Sequence, residues 1–254
     1  MAKLTGNIDY GYMGLFQEML KNRRTLVMWE KIRPLYRKIF RYASLNSLDK
    51  KIERHLPANG IFMEAGANDG LNQSNTLFLA RVHGWKGILV EPVPRLFERC
   101  NKNRPESFCI NAALVAPEDS GSVIDLIDVD LMTSVRNTKN FAFDETHIRT
   151  AELVQGISRT LASTTGKTIS EVITESGFPG IDFLSLDVEG FELEALKGFT
   201  KEEHFPKYML IETKQLELII EVLNHRYELV EKMSEHDYFL KLKPHTERPI
   251  VWLG

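Results

Sequence analysis

The chain has 254 residues with 43% hydrophobic and 26% charged content, which excludes fibrous and disordered classes and allows one large domain or one domain with an appendage. Its formal net charge of −3 supplies no global basic field for nucleic acid. No apolar run approaches the roughly 18 residues of a membrane span, and the N-terminus lacks the apolar core of a secretory leader, so a cytoplasmic location is expected.

The first 45 residues read as a helical extension. Eight Lys or Arg lie between Lys21 and Arg41 against one acid, Glu30, and Leu26, Trp29, Ile32, Leu35, Tyr36 and Ile39 recur at mostly helical spacing, interrupted near Pro34. Such a basic face is either solvated or turned toward an anionic acceptor, a partner or a membrane surface. A further helix runs from Leu45 to His55. After the turn at Pro57 to Gly60 come a strand (Ile61 to Glu64), a helix from Ser74 to His83 closed by Gly84, and a second strand from Gly87 to Glu91 stopped by Pro92. Pro94 to Asn103 is predicted helical and Phe108 to Val115 a third strand.

Ala116 to Gly180 is less regular. Val123 to Val129 alternates like a strand, Thr133 to Glu152 is polar with scattered aromatics, and Thr168 to Ser176 is a helix closed by Gly177. A stretch of this kind between core elements often covers a site, so 116–160 is expected to be an insertion or flap. Regular alternation then resumes: strand Ile181 to Val188, helix Phe191 to Gly198, strand Tyr208 to Glu212, helix Leu216 to His225, and a closing antiparallel hairpin, Tyr227 to Lys232 with Tyr238 to Lys243. The pattern predicts an α/β Rossmann-like, doubly wound, mostly parallel sheet over residues 46–254.

The chemistry concentrates where strands end. IFMEAGANDG delivers a strand into a turn of the form E-x-G-x-x-x-G (Glu64, Gly66, Gly70), with Asn68 and Asp69 inside it. Glycines there let a ligand approach the backbone, and neighbouring carboxylates repel a pyrophosphate but favour a cation. S-adenosylmethionine carries a sulfonium and an ammonium and no phosphate, so the loop points to that cofactor, and the dinucleotide fingerprint G-x-G-x-x-G is absent. Glu91, at the end of the second strand, stands where a carboxylate accepts ribose hydroxyls. Asp187, Glu189 and Gly190 follow the strand FLSLDV at the edge where such sheets bind ligands; they can hold the methionine end, orient the acceptor or act as base, or else Glu189 and Glu192 simply complement a helix start. Glu212 and His236 with Asp237 are further candidate bases, and His147 and Lys214 candidate acceptor contacts. These carboxylates also suit a hard divalent ion, but no compact ligand motif is present and no metal is expected. Cys100 and Cys109 form neither a disulfide framework nor a zinc motif and are expected as reduced thiols.

Three blocks, EAGANDGLNQSNTLFLARVHGWKGILVEPVPRLFERCNKNRP, SLDVEGFELEALKGF and YELVEKMSEHDYFLKLK, resemble the FkbM-type methyltransferases over about Asn59 to Lys243. The resemblance implies a class I fold, S-adenosylmethionine as cofactor, and O-methylation of a sugar, polyketide-type or other small-molecule or glycan hydroxyl. It implies that Glu64, Gly66, Asp69 and Gly70, with Asn68, line the methionine side, that Glu91 beside Pro92 holds the ribose, and that Asn111 and Ala112 meet adenine. Ser74 and Asn75 would meet the methionine carboxylate at a helix start. Asp187, Glu189 and His236 are the residues expected to carry catalysis. The first 45 residues and about Leu131 to Arg159 lie outside the match and are the expected selectors of the acceptor. Two other classes stay open: a dinucleotide-dependent oxidoreductase, and a non-catalytic cofactor-bound protein that binds a partner or nucleic acid through its basic N-terminal region.

Overall fold

A computed structural model describes residues 42–130, 133–135, 145–156 and 158–244. The helices expected before Tyr42 and the side chain of His147 lie outside the described residues. In chain order the main elements begin with helix α1 (Leu48–Glu53), strand β1 (Ile61–Ala65), helix α2 (Leu77–His83), strand β2 (Lys86–Val90), helix α3 (Pro94–Asn103) and strand β3 (Phe108–Ile110). Next come β4 (Ala113–Leu114), β5 (Val123–Asp128), β6 (Ser134–Val135), helix α4 (Glu145–Gln155) and β7 (Thr160–Lys167). The last part holds α5 (Ile169–Ser176), β8 (Phe183–Leu186), α6 (Glu192–Lys197), β9 (Tyr208–Glu212), α7 (Leu216–Val222), β10 (Tyr227–Lys232) and β11 (Asp237–Leu242).

Seven strands form the main sheet in the order β10-β11-β9-β8-β1-β2-β3. The five from β9 to β3 are parallel, and β11 runs antiparallel between β9 and β10. This is the doubly wound architecture that the resemblance implies. The strand order reverses at β1, which pairs with β2 on one side and β8 on the other, with Ala65 level with both Val90 and Leu186. That alignment brings the three following loops to one point of the carboxyl edge, the switch-point crevice in which such sheets bind ligands.

Parallel strands covered on both faces read as continuous apolar runs, and β1, β2 and β8 are buried over nearly their whole length. Successive side chains alternate between faces. Phe62, Leu89 and Phe183 pack on one side with Leu48, Ile52 and Leu79; Met63, Ile88 and Leu184 pack on the other with Val172, Ile173, Leu196 and Ile219.

Three expectations change. Phe108 to Val115 is not one strand. β3 pairs with β2, then the chain turns at Asn111 and Ala112, and β4 leaves to pair with β7 in a second sheet of order β4-β7-β5-β6. Asn111 makes the break possible: its Nδ2 donates to the Glu91 and Pro92 carbonyls at 2.8 and 2.9 Å, replacing the ladder bonds that would have continued. Secondly, the polar stretch contains α4, and TLASTTGK (β7) is a strand. α4 is tied to the start of β7 by Arg159, which bonds Glu145 at 3.0 Å and Glu152 at 2.7 Å. The helix expected from Ser74 begins only at Leu77, because the hydroxyls of Ser74 and Thr76 are committed to Glu64 at 2.8 and 2.6 Å.

Candidate active site

The crevice at the switch point is a cleft with about 790 Å³ of unfilled space, partly open to solvent. The end of β1 and its turn supply Ala65, Gly66, Asn68, Asn72 and Gln73; the end of β2 supplies Val90, Glu91 and Pro92. The loop after β8 supplies Asp187, Val188 and Glu189. The second sheet contributes an apolar wall from Ala113, Leu114, Leu126 and Val135, with Ala112 at the break between the sheets.

Gly66 is required by packing. It sits at φ 81°, and a Cβ there would lie 2.0 Å from the Asp187 carbonyl oxygen. The close approach joins the ends of β1 and β8, with the Asp187 amide donating to the Ala65 carbonyl at 3.2 Å. Non-glycine residues with positive φ also gather at the cleft: Asn68 (49°), Gln73 (58°), Asp130 (61°) and Glu189 (53°). Such conformations are uncommon for residues with a Cβ and concentrate at functional sites, where the surrounding structure holds them.

Glu91 is buried, yet lines the cleft. Its two carboxylate oxygens accept the backbone amides of Asn68 (2.7 Å) and Val93 (2.9 Å), so the side chain is fixed while lone pairs remain for a ligand. Burial pushes its pKa up to about 7 despite these two bonds. Above it, Asn68 Nδ2 donates to Asp130 at 3.2 Å, and Arg95 bridges Asp130 to Asp128, which it grips through two bonds of 2.7 Å. Burial opposes ionisation of Asp128, but the Arg95 pairing outweighs it and holds the group below its ordinary value.

The opposite wall is acidic. Asp187 follows Leu186 of β8, which is level with Ile211 of the neighbouring β9, so Asp187 and Glu212 stand at the ends of adjacent strands. Burial, then the carboxyls of Glu212, Glu189 and Glu192, raises Asp187 well above the ordinary carboxylate range. Burial followed by Asp237 and Glu189 raises Glu212 as well. Both shifts favour a proton held on this pair of carboxyls. Glu192 does not enter the cleft; its Oε1 accepts the Gly190 amide at 2.8 Å and burial lifts it to about 7. Among the described residues no group of three or more His, Cys, Asp or Glu is arranged to hold a metal ion.

The structure thus brings Gly66, Asn68, Glu91, Pro92, Ala112, Asp187 and Glu189 together around one cleft. Glu64, Asp69, Gly70, Ser74, Asn75 and Asn111 are absent from its lining, and each has another task. Glu64 turns away from the cleft and clamps the turn, accepting the Asn75 amide at 2.7 Å besides the two hydroxyls. Asp69 accepts the amides of Leu71 and Asn72 at 3.0 and 2.8 Å and pairs with Arg99 at 3.0 Å. Gly70 faces α3, where a Cβ would meet Arg104 Cγ at 2.8 Å and Cys100 Sγ at 3.0 Å. The Ser74 hydroxyl also accepts the Leu77 amide at 3.1 Å, and Asn75 reaches Ser185 at 3.0 Å. His236 lies outside the cleft with a partly exposed side chain, and its backbone carbonyl accepts the Thr213 amide at 2.8 Å. The carboxylates expected to line the glycine turn therefore shape it from behind. Sequence reading missed Asn72, Gln73, Asp130, Thr133 and Phe191; only the D-x-D of Asp128 and Asp130 at the end of an alternating strand offered a signal.

No curated protein matches the chain. Among solved structures, the FkbM methyltransferase of Methylobacillus flagellatus is 15% identical with a TM-score of 0.44, covering 73% of this chain but 44% of its own length. TrmK of M. capricolum, solved with S-adenosylhomocysteine, is 12% identical at a TM-score of 0.42, covering 78% of this chain and 70% of that one. A TehB-like methyltransferase from Corynebacterium glutamicum is 10% identical at 0.39, with 85% and 96% covered. Among the described residues no helix is long and apolar enough to cross a membrane. The family model of the methyltransferase FkbM domain matches residues 64–243. The chain belongs to the FkbM methyltransferase family and is an S-adenosylmethionine-dependent methyltransferase.

Proposed function

We propose that the protein is a cytoplasmic O-methyltransferase acting on a hydroxyl of a sugar, polyketide-like or other small-molecule or glycan acceptor. The observation that carries this reading is Asp187 in the cleft lining, at the end of the strand beside the one that ends in Glu212. An alcohol must lose a proton as it is alkylated, and a pair with one shared proton can take it up.

The cleft fits the cofactor. Glu91, pinned by two amides, offers acceptors for the ribose hydroxyls; Ala112, Ala113, Leu114, Leu126 and Val135 form an apolar wall suited to adenine. Gly66, Asn68 and Asp187, which line the cleft, would flank the cationic methionine end, and Pro92 would lie beside the ribose. When bound, S-adenosylmethionine supplies a methyl group on a sulfonium and leaves as a neutral thioether.

The work of the chain is alignment, exclusion of water and proton handling. Asp187 receives the hydroxyl proton on one oxygen as it passes its own proton to Glu212, leaving both carboxyls neutral. The negative charge of the pair and the positive charge of the methyl donor are thereby cancelled in the same event. Glu189, at φ 53° on the cleft rim, is placed to orient the acceptor. We take residues 1–45 as an appended helical extension and 116–160 as an insertion, and assign selection of the acceptor to the first 45 residues and to about Leu131 to Arg159.

The test is a screen of hydroxylated sugars and polyketide-like alcohols, with amines and RNA as comparison classes, reading S-adenosylhomocysteine release. Turnover is expected with a hydroxyl class, and Asp187→Asn should lower kcat by about 100-fold or more while cofactor affinity stays within about tenfold. Methyl recovered on nitrogen or nucleic acid, or full turnover by Asp187→Asn, refutes the proposal.

A further inference from the structure

Behind the glycine turn, away from the cleft, lie Cys100 on α3 and Cys109 on β3. Their sulfurs are 4.0 Å apart. Cys100 is fully buried, whereas Cys109 is half-buried and reachable from solvent. Arg104 is buried beside them; its Nε pairs with Glu106 at 2.9 Å and its Nη2 has no hydrogen-bond partner, so a cation stands at this corner. The Cys100 thiol, followed by the charge of Arg104, lowers Cys109 below the ordinary thiol value.

The pair is wired to the cofactor turn. The end of α3 holds that turn through three contacts: Arg99 to the Asp69 carboxylate (3.0 Å), Asn103 Nδ2 to the Asp69 carbonyl (2.8 Å) and Arg104 Nη1 to the Gly70 carbonyl (3.1 Å). Gly70 itself packs against Cys100 so closely that a Cβ on it would sit 3.0 Å from Sγ.

We propose that Cys100 and Cys109 are the site of a reversible intramolecular disulfide, formed with a peroxide as oxidant, whose formation weakens cofactor binding. The Cys109 thiolate attacks a peroxide oxygen, the O–O bond breaks, and a sulfenic acid and hydroxide form. Cys100 sulfur then attacks Cys109 sulfur; the S–O bond breaks, the leaving hydroxide takes the Cys100 proton, and water departs. Two thiols are oxidised and one peroxide is reduced to two waters. Closing from 4.0 Å to the roughly 2.05 Å of a disulfide moves Cys100 relative to Gly70 and shifts the end of α3 that leads into Asn103 and Arg104. The turn that supplies Gly66 and Asn68 to the cleft loses its backing.

The experiment uses the full chain treated with hydrogen peroxide and then with dithiothreitol. Peptide mass spectrometry and thiol titration follow the sulfurs, and calorimetry with S-adenosylhomocysteine follows the cleft. The wild type should give a Cys100–Cys109 cross-linked peptide and lose both thiols. Its affinity should fall by at least about fivefold, the lower end of coupling between linked sites, and return on reduction. Cys109→Ser should bind like the reduced wild type, and neither it nor Cys100→Ser should change its affinity on peroxide treatment. Oxidation confined to sulfinic acid on Cys109, cross-links only between chains, or an intramolecular disulfide that leaves affinity unchanged each overturns the proposal.

Discussion

Replacing Glu91 by Gln separates what this residue does for the cleft from what it does to the fold. In the ligand-free protein burial raises its pKa from an ordinary 4.5 to about 7. An acid whose folded-state pKa is raised binds its proton more tightly in the native than in the unfolded chain. Its contribution to stability is therefore full below about 4.5 and is lost as pH rises through 7. Integrating that difference from roughly pH 5 to pH 8 gives a loss of about 2 to 3 kcal/mol attributable to Glu91. Gln cannot ionise, so its variant lacks this dependence. The amide bond to Asn68 or Val93 that the Gln side chain cannot accept costs the same at both pH values and cancels. Urea denaturation of both proteins at the two pH values should show the wild-type advantage shrinking by that amount. At neutral pH the variant should bind S-adenosylhomocysteine at least about tenfold more weakly, about 1.4 kcal/mol, because a ribose acceptor is lost. Parallel pH profiles for the two proteins would refute the assigned burial, and unchanged affinity would refute the assigned role.

Gly66→Ala places a methyl 2.0 Å from the Asp187 carbonyl at φ 81°, and should destabilise by more than about 2 kcal/mol and abolish thermal stabilisation by S-adenosylhomocysteine. Arg95→Ala removes the bridge between Asp128 and Asp130; amide exchange should accelerate over Val123 to Val135 and cofactor affinity should fall several-fold. His236→Ala should leave stability within about 0.5 kcal/mol and cofactor affinity unaltered, since the side chain is partly exposed and does not line the cleft. With any hydroxyl acceptor that turns over, kcat should rise with pH as the carboxyl pair passes from two protons to one, and this rise should move in pH in Glu212→Gln.

The central strands were legible because strands buried on both faces must be apolar throughout, and IFMEA, GILV and FLSL have no other reading as compact. Glu91 and Asp187 were legible for the same reason: an acid directly after such a run has to stand at the sheet edge. β7 was not, since TLASTTGK keeps one face in water and draws its partners from residues about 40 positions earlier. Glu64 and Asp69 were assigned to the ligand because a carboxylate in a glycine turn looks the same on paper whether it faces a cofactor or its own backbone. Only the folded turn shows that its amides and hydroxyls consume both groups. Asp130 became a cleft residue through Asn68, 62 positions away in the chain, and no local pattern encodes that meeting.

The departure of β4 from the central sheet means that the nucleoside would be gripped by two separately hydrogen-bonded layers, joined by the chain at Asn111–Ala112 and again after Lys167. A molecule lodged in the crevice acts as mortar between them. Its largest protective effect on slow amide exchange should fall on the smaller layer, which has few ladder bonds of its own, and should leave the large one nearly as it was.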